Sequence, residues 1–589
     1  MNQATALARL VVERLIGFGV RDVVLSPGSR SAPLALALGA AADSGAVRLS
    51  VRVDERSAAF LALGMARGRQ GPVAVLCTSG TAVANLMPAV IEASYAGIPL
   101  ICLTADRPPE LRNVGANQTI DQVGLFGDHV RSMVDLGREV GDAISRVDVA
   151  ELDCALRAAV DGSGPGPVQI NVAFREPLVP DSPEDLLPGA GATGPAQAHQ
   201  SVRPDPPDLS SVLELAGLDA IPARGLILAG DILDPADSVA VSELARAAGW
   251  PVFSEPSGNA AGGPQAVAHF PLLLAAGCAG GSAGGALIGS PELVITVGRF
   301  GLCRPTGALV RPSPGPSGVP SRRPVVHISV HLSGCDVPDP WRTAAAVIPR
   351  VPVVAPGAGS GSGSTAGSAA GEWCAGWRSA AHLAASQIER VLAREQWNGV
   401  AVAREVMASA QPGDVVLVAA SRSVRDVQDF ASAPAPGVRV IGNRGASGID
   451  GLVSTAWGAA QASGRRTVAL LGDLAFLHDC GGLAAAPGEP QPNLILVVGD
   501  NNGGGIFSSL EPGRPELAGH FERIFGTPHD RDLCAVAESF GVEAIRVVDR
   551  DALADQLTRR EDGVRVIVAD LPDRAAEEDL RVRIATAVA

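Results

Sequence analysis

Hydrophobic positions along the chain follow two rhythms. Over residues 4–19, Leu7, Leu10, Val11 and Leu15 recur at helical spacing, which predicts an opening amphipathic helix. Short runs that are apolar throughout come next, at 23–25, 47–53, 73–77, 100–104 and 168–172, with helical stretches such as 82–96 between them. The alternation resumes at 225–230, 251–255, 293–298 and 325–331, and again at 414–418, 438–441, 467–471, 494–498, 544–548 and 564–569. A strand without a polar face is buried on both sides, and strands alternating with helices build mostly parallel sheets flanked by helices. The expected fold class is therefore α/β, in three domains: 1–180, 220–354 and 372–589. Between them, 181–219 is rich in Pro, Gly, Ala and Asp, and 355–371 is nearly all Gly, Ser and Ala, as linkers are. The run Gly361-Ser362-Gly363-Ser364-Thr365-Ala366 mimics a dinucleotide-binding fingerprint, but no convincing helix with a downstream acidic residue follows, so a flexible linker is expected.

A chain of 589 residues exceeds what one hydrophobic core supports, in keeping with several domains. The net charge of -15 disfavours a nucleic-acid partner, which would call for a basic stripe. All 47 basic residues are Arg, so a lysine Schiff base and the lysine of a phosphate-binding P-loop are excluded. Nine scattered cysteines without metal-ligand spacing suggest free thiols in a reducing compartment. Arg9, Glu13 and Arg14 interrupt the first apolar pattern, which is wrong for a signal peptide, and no apolar run approaches membrane-spanning length. A cytoplasmic protein with no membrane partner is expected.

The stretch 467–507 carries the most specific chemistry. One apolar run ends at Gly472-Asp473 and the next at Asp500-Asn501-Asn502-Gly503-Gly504-Gly505. If both strands are parallel, their carboxyl ends open onto one crevice, where α/β sheets bind ligands. Mg²⁺ takes oxygen ligands and leaves positions for phosphate and water. A carboxylate, an amide oxygen and a backbone carbonyl suit it, and glycines let backbone approach a diphosphate. Taken singly, Asp473 is also a plausible helix N-cap and Asn-Gly-Gly a plausible turn.

These residues resemble the signature of the thiamine diphosphate (ThDP) enzymes, Gly-Asp followed after some 25 to 30 residues by Asn-Asn, with Leu474 where many members carry Gly. The string from Asp500 to Phe507 is more particular and resembles the branch of that family that serves menaquinone biosynthesis. The resemblance implies ThDP with Mg²⁺, Mn²⁺ being an alternative, and the metal on Asp473, Asn501 and the Gly503 carbonyl. It implies a glutamate that hydrogen-bonds the aminopyrimidine ring of the cofactor, and Glu55 matches that place while Asp54 does not; read without the resemblance, Glu55 is a first-turn acid favoured by the helix dipole. Other cofactor contacts implied are Pro27, Thr78, Asn85, Ser421, Ile449, Gly472, Leu474, Ala475, Gly505 and Ile506, with Ile449 wedging the cofactor into a bent shape.

Further strings match the same branch: Thr78-Ser79-Gly80-Thr81, Ala105-Asp106-Arg107-Pro108 with Asn117-Gln118, and Gly442-Asn443-Arg444-Gly445-Ala446-Ser447-Gly448-Ile449. They imply that Ser421, Arg425 and Arg444 face 2-oxoglutarate, that Arg30, Asn117, Gln118 and Arg304 face isochorismate, and that Ser29, Arg107 and Phe507 also contact substrate. Arg299 carries over less surely, and Cys303 stands where some relatives have Lys. His478 reads as a structural histidine. The implied reaction is decarboxylation of 2-oxoglutarate and addition of the remaining unit to isochorismate by a homodimer or homotetramer, whose sites form between the first domain of one chain and the third of another. Two alternatives stay open: another ThDP-dependent decarboxylase or carboligase, such as an acetolactate synthase, and a non-catalytic protein that keeps the fold.

Overall fold

The computed structural model describes residues 1–138, 146–161, 164–186, 203–278, 290–311, 325–332, 339–355, 365–559 and 562–589. The first sheet contains β1 (Asp22–Leu25), β2 (Arg48–Val51), β3 (Val73–Cys77), β4 (Leu100–Asp106), β5 (Met133–Leu136) and β6 (Val168–Ala173), in the order β2-β1-β3-β4-β6-β5. The second contains β7 (Gly225–Ala229), β8 (Val252–Ser254), β9 (Leu293–Val297), β10 (Val326–Val330) and β11 (Ala344–Ile348), ordered β11-β10-β9-β7-β8. The third contains β12 (Val415–Val418), β13 (Arg439–Ile441), β14 (Thr467–Gly472), β15 (Leu494–Asp500), β16 (Glu543–Val547) and β17 (Val564–Asp570), ordered β13-β12-β14-β15-β17-β16. Neighbouring strands within each sheet run parallel. The first and third sheets share one topology. In each, the chain reverses its direction of travel across the sheet between the first and third strands, which leaves a crevice at their carboxyl ends.

Two strands have no counterpart in the apolar pattern. β5 alternates between buried and half-exposed positions, and β11 is mostly alanine, which offers little side chain to pack on a pleated surface. The helix expected over 82–96 is two helices, Thr81–Asn85 and Met87–Ala96, because Pro88 lacks the N–H that would continue the ladder.

The expected linkers need correction. Residues 187–202 and 356–364 lie outside the described residues, but the helix Leu209–Leu215 buries Leu209, Val212 and Leu213 in the core of the second sheet, so that unit begins before residue 219. The helix Thr365–Leu392 starts inside the expected Gly/Ser linker, contrary to the reading that no convincing helix with a downstream acidic residue follows there. Its Trp373 and Trp377 pack into a core shared with Phe253 and Phe270 of the middle unit and Phe430 and Leu580 of the last.

The first and third units share another core through two helices, Glu55–Arg69 and Leu452–Ser463. Glycine permits their contact. A Cβ on Gly64 would stand 2.1 Å from the Thr455 carbonyl oxygen, and one on Gly458 would stand 2.1 Å from that of Leu61.

Candidate active site

The crevice of the third sheet opens where the loops after β12, β14 and β15 diverge. Its walls include Ser421 and Arg422 after β12, Gly472, Asp473, Leu474 and Ala475 after β14, and Asn501, Gly503, Gly505, Ile506 and Phe507 after β15, with Ile449 opposite. Asp473 and Asn501 come together because β14 and β15 are in register, Gly472 beside Gly499. Asp473 is almost fully buried; its Oδ1 accepts from the Leu474 N–H at 2.6 Å and its Oδ2 from the Gly503 N–H at 2.7 Å. Burial pushes its carboxyl up, and these two N–H groups oppose that. His529 Nδ1 accepts from the Arg531 N–H at 3.1 Å, so Nε2 carries the proton and points at Asp473 Oδ2, 3.4 Å away. Asp473, Asp500 and His529 form a group compact enough to hold a cation.

Asp473, Asn501 and the glycine turn beside them fit a metal-bound diphosphate. Their donors are hard oxygens, and the turn keeps backbone close. A Cβ on Gly503, whose φ is +137°, would stand 2.0 Å from the Gly526 carbonyl oxygen, and one on Gly505 would stand 2.7 Å from Asn501 Nδ2. Only a chain without side chains there can take this path.

The loop after β12 supplies positive charge. Ser421 (φ 73°) precedes the helix Arg422–Phe430. Arg422 donates to Ser509 Oγ at 2.7 Å and pairs with Glu578, and Arg425 donates to the Leu302 carbonyl of the middle unit at 3.0 Å. The Arg425 guanidinium is pushed below its ordinary value, first by burial, with Arg422, Arg444 and Arg304 adding to the effect and Asp429 opposing it. Arg422 and Arg444 of the last unit and Arg304 of the middle one thus bear on the charge of Arg425, and Asp429 partly offsets them. Arg299 is not part of that group; it donates to the Tyr95 carbonyl at 2.8 Å and lies over the Tyr95 ring. Cys303 is buried, and burial pushes its thiol far up.

At the matching edge of the first sheet, Pro27 and Ser29 are exposed and Arg30 is buried, donating to the Phe174 carbonyl at 2.8 Å. Arg107 contacts Ser79 Oγ and donates to the Gln118 carbonyl at 3.0 Å, while Gln118 donates back to the Ser79 carbonyl at 3.0 Å. Burial, and after it the charge of Arg30, push Arg107 below its ordinary value, so these two arginines also share one neighbourhood. Thr78 Oγ1 and Arg30 Nε are buried without a partner among the described residues. Asn85 and Asn117 are exposed. Glu55 opens the helix that Asp54 caps, the latter accepting from the Arg56 N–H at 2.8 Å. None of these first-sheet residues lines the third-sheet crevice of the same chain. His478 is exposed, and both its ring and its carbonyl meet Arg56.

Sequence reasoning passed over four residues. Arg422 lines the crevice one position from Ser421, and its spacing was the available signal. His529, Glu92 and Glu255 touch the site's loops from distant parts of the chain. Glu255, buried, accepts from the N–H groups of Gly301 (2.9 Å) and Leu302, in the loop that carries Arg304. No local pattern marks such a contact.

Two parallel sheets of one topology, the third-unit one with a crevice at its switch point and a carboxylate beside a glycine turn, define a ThDP-binding enzyme. Residues 5–125 match the thiamine pyrophosphate enzyme N-terminal TPP binding domain and residues 429–569 the corresponding C-terminal TPP binding domain; the two names denote the same cofactor. The whole chain is similar to 2-succinyl-5-enolpyruvyl-6-hydroxy-3-cyclohexene-1-carboxylate synthases. It is 43% identical to that of Kineococcus radiotolerans over 96% of both chains, and 42% identical to that of Thermobifida fusca over 100% of this chain and 99% of the other. The synthase of Saccharopolyspora erythraea is 40% identical over the same shares. The chain belongs to this family of thiamine pyrophosphate enzymes.

Proposed function

We propose that the chain makes the compound its relatives are named for: 2-oxoglutarate loses CO2 and the remaining four-carbon unit is joined in a 1,4 sense to isochorismate, a step of menaquinone biosynthesis. The observation that carries this reading is the full-length similarity to those synthases, and Arg422 in the crevice wall, on the same helix as Arg425, suits it. Both substrates are dicarboxylates, and a guanidinium binds a carboxylate through two parallel hydrogen bonds. A site for small monocarboxylates such as pyruvate needs fewer such partners.

When bound, ThDP supplies the nucleophile and electron sink that a 2-oxo acid needs to lose CO2. The chain's task is to bind, orient and exclude water. Asp473, Asn501 and the Gly503 carbonyl would hold Mg²⁺, or Mn²⁺ in its place. Ser421, Gly472, Leu474, Ala475, Gly505 and Ile506 would surround the diphosphate and thiazolium portions, with Ile449 as the apolar support. Pro27, Thr78, Asn85 and Glu55 would meet the aminopyrimidine, where Glu55 exchanges a proton. Ser421, Arg425, Arg444 and Phe507 would receive 2-oxoglutarate; Ser29, Arg30, Arg107, Asn117, Gln118, Arg304 and, less directly, Arg299 would receive isochorismate. Because the crevice is lined from the third unit alone, Glu55 would reach it from a second copy. The smallest active unit is then a homodimer, of which a homotetramer would be a pair. Among the described residues no helix is long and apolar enough to cross a membrane, and a cytoplasmic setting suits this chemistry.

The test is CO2 release by the purified protein with ThDP and Mg²⁺, from 2-oxoglutarate and from pyruvate, with and without isochorismate. Preference for pyruvate would overturn the proposal.

A further inference from the structure

The loop 442–451 carries Arg444 and Ile449, and its middle is held from another unit. Glu92, on the helix Met87–Ala96 of the first unit, is 2% exposed. Its carboxylate accepts from three consecutive backbone N–H groups: Gly445 at 2.7 Å, Ala446 at 2.6 Å and Ser447 at 3.3 Å. The loop lies directly on that helix, since a Cβ on Gly445 would stand 2.3 Å from the Glu92 carbonyl oxygen and 2.9 Å from the Ala96 nitrogen. This accounts for a glycine next to the arginine. Burial pushes the Glu92 carboxyl up, while Arg67 and the loop N–H groups oppose it and Asp231 adds to it. Arg67, buried, is itself paired with Asp231 of the middle unit at 2.7 Å. At this junction of all three units the loop N–H groups account for both carboxylate oxygens.

We propose that Glu92 is a positioning residue for the reaction: by clamping residues 445–447 it sets the place of the Arg444 guanidinium and the Ile449 side chain on either side. The proposal rests on the reading that Arg444 faces 2-oxoglutarate. An anion is the suitable clamp because it accepts only; an amide in its place would turn an N–H₂ group towards one of three N–H donors. An unmatched buried donor there frees the loop, and Arg444 loses its aim.

The experiment uses the full-length holoenzyme and the variants Glu92→Gln, Glu92→Asp, Arg444→Ala and Glu92→Gln with Arg444→Ala. Glu92→Gln is expected to raise KM for 2-oxoglutarate roughly 10- to 100-fold, the worth of one hydrogen bond to a charged group, with kcat changed far less. Glu92→Asp keeps the charge, folds more securely, and should show a smaller rise because the shorter side chain reaches fewer N–H groups. In the Arg444→Ala background, Glu92→Gln should add nothing to KM, since both changes remove the same interaction. Hydrogen exchange should quicken over 442–451 and stay unchanged in β12 and β14. Additive effects on KM, or unchanged exchange in that loop, overturn the proposal. Unchanged KM in Arg444→Ala alone would instead refute the assignment of Arg444 to 2-oxoglutarate; faster exchange in Glu92→Gln would then leave Glu92 an anchor without a part in the reaction, which also overturns it.

Discussion

Asp429 shows how strongly burial governs the charged residues around the site. Its carboxyl is pushed up from 3.8 to about 7, first by burial and then by Asp426, against the pull of Arg425, Arg422 and Arg581. A folded-state value above the unfolded one means that the group's contribution to stability is full below about pH 4 and is lost as pH rises through 7. Asp429→Asn, neutral at every pH, should therefore gain stability over the parent increasingly between about pH 4 and pH 7, with a level difference above. Denaturant unfolding at a series of pH values measures this, and a pH-independent difference would contradict it. Glu55 calls for a separate measurement. As the proposed proton partner of the aminopyrimidine, its replacement in Glu55→Gln should leave ThDP uptake intact in calorimetry while product formation drops about 10²- to 10⁴-fold, the usual worth of a positioned acid or base. Turnover at the parent rate would remove Glu55 from the mechanism. Asp473 and Asn501 were legible in the sequence because each directly ends an apolar run. Glu92 was not, because the N–H groups it binds lie 353 positions away or more, and nothing in its own surroundings distinguishes it from a solvated helix glutamate.

Among the elements, the pair Glu55–Arg69 and Leu452–Ser463 ties the first unit to the third. Gly64, Gly68 and Gly458 sit where the two backbones touch. Within a helix a glycine costs about 1 kcal/mol against alanine, so these positions give up propensity for a close approach. Gly64→Ala should accordingly destabilise the protein by roughly 1 to 3 kcal/mol despite its better helix propensity, as other overpacked contacts do. Equilibrium unfolding reads it, and a stabilised variant would mean that the helices do not meet there. The apolar runs located most strands closely, since a strand buried on both faces leaves an unmistakable trace. β5 and β11 left none: edge position and small side chains remove the hydrophobic signal that sequence reading depends on. The start of the helix Thr365–Leu392 was hidden for a related reason, as its glycines and serines resemble a linker until Trp373 and Trp377 supply the packing.

For the molecule as a whole, the first and third sheets have the same strand order, and among the described residues the third-unit crevice is lined by that chain's own metal-type donors and by no residue of its first unit. If Glu55 of one copy serves Asp473 of another, two inactive variants should complement. Co-expressed Glu55→Gln and Asp473→Asn chains, pairing at random, would give heterodimers in about half the population, each with one intact site, and so about a quarter of parental activity. Activity no higher than that of the separate variants would place both residues in one chain's site.

The sequence by itself determined the α/β class, most of the strands, the family and the residues at strand ends, because burial and chain reversal write these locally. Tertiary structure alone decided which arginines bear on one another's charge, where one unit ends and the next begins, and which buried carboxylates hold the loops. Those are contacts between segments hundreds of residues apart, and their energies depend on desolvation and on partners that appear only once the three units are packed.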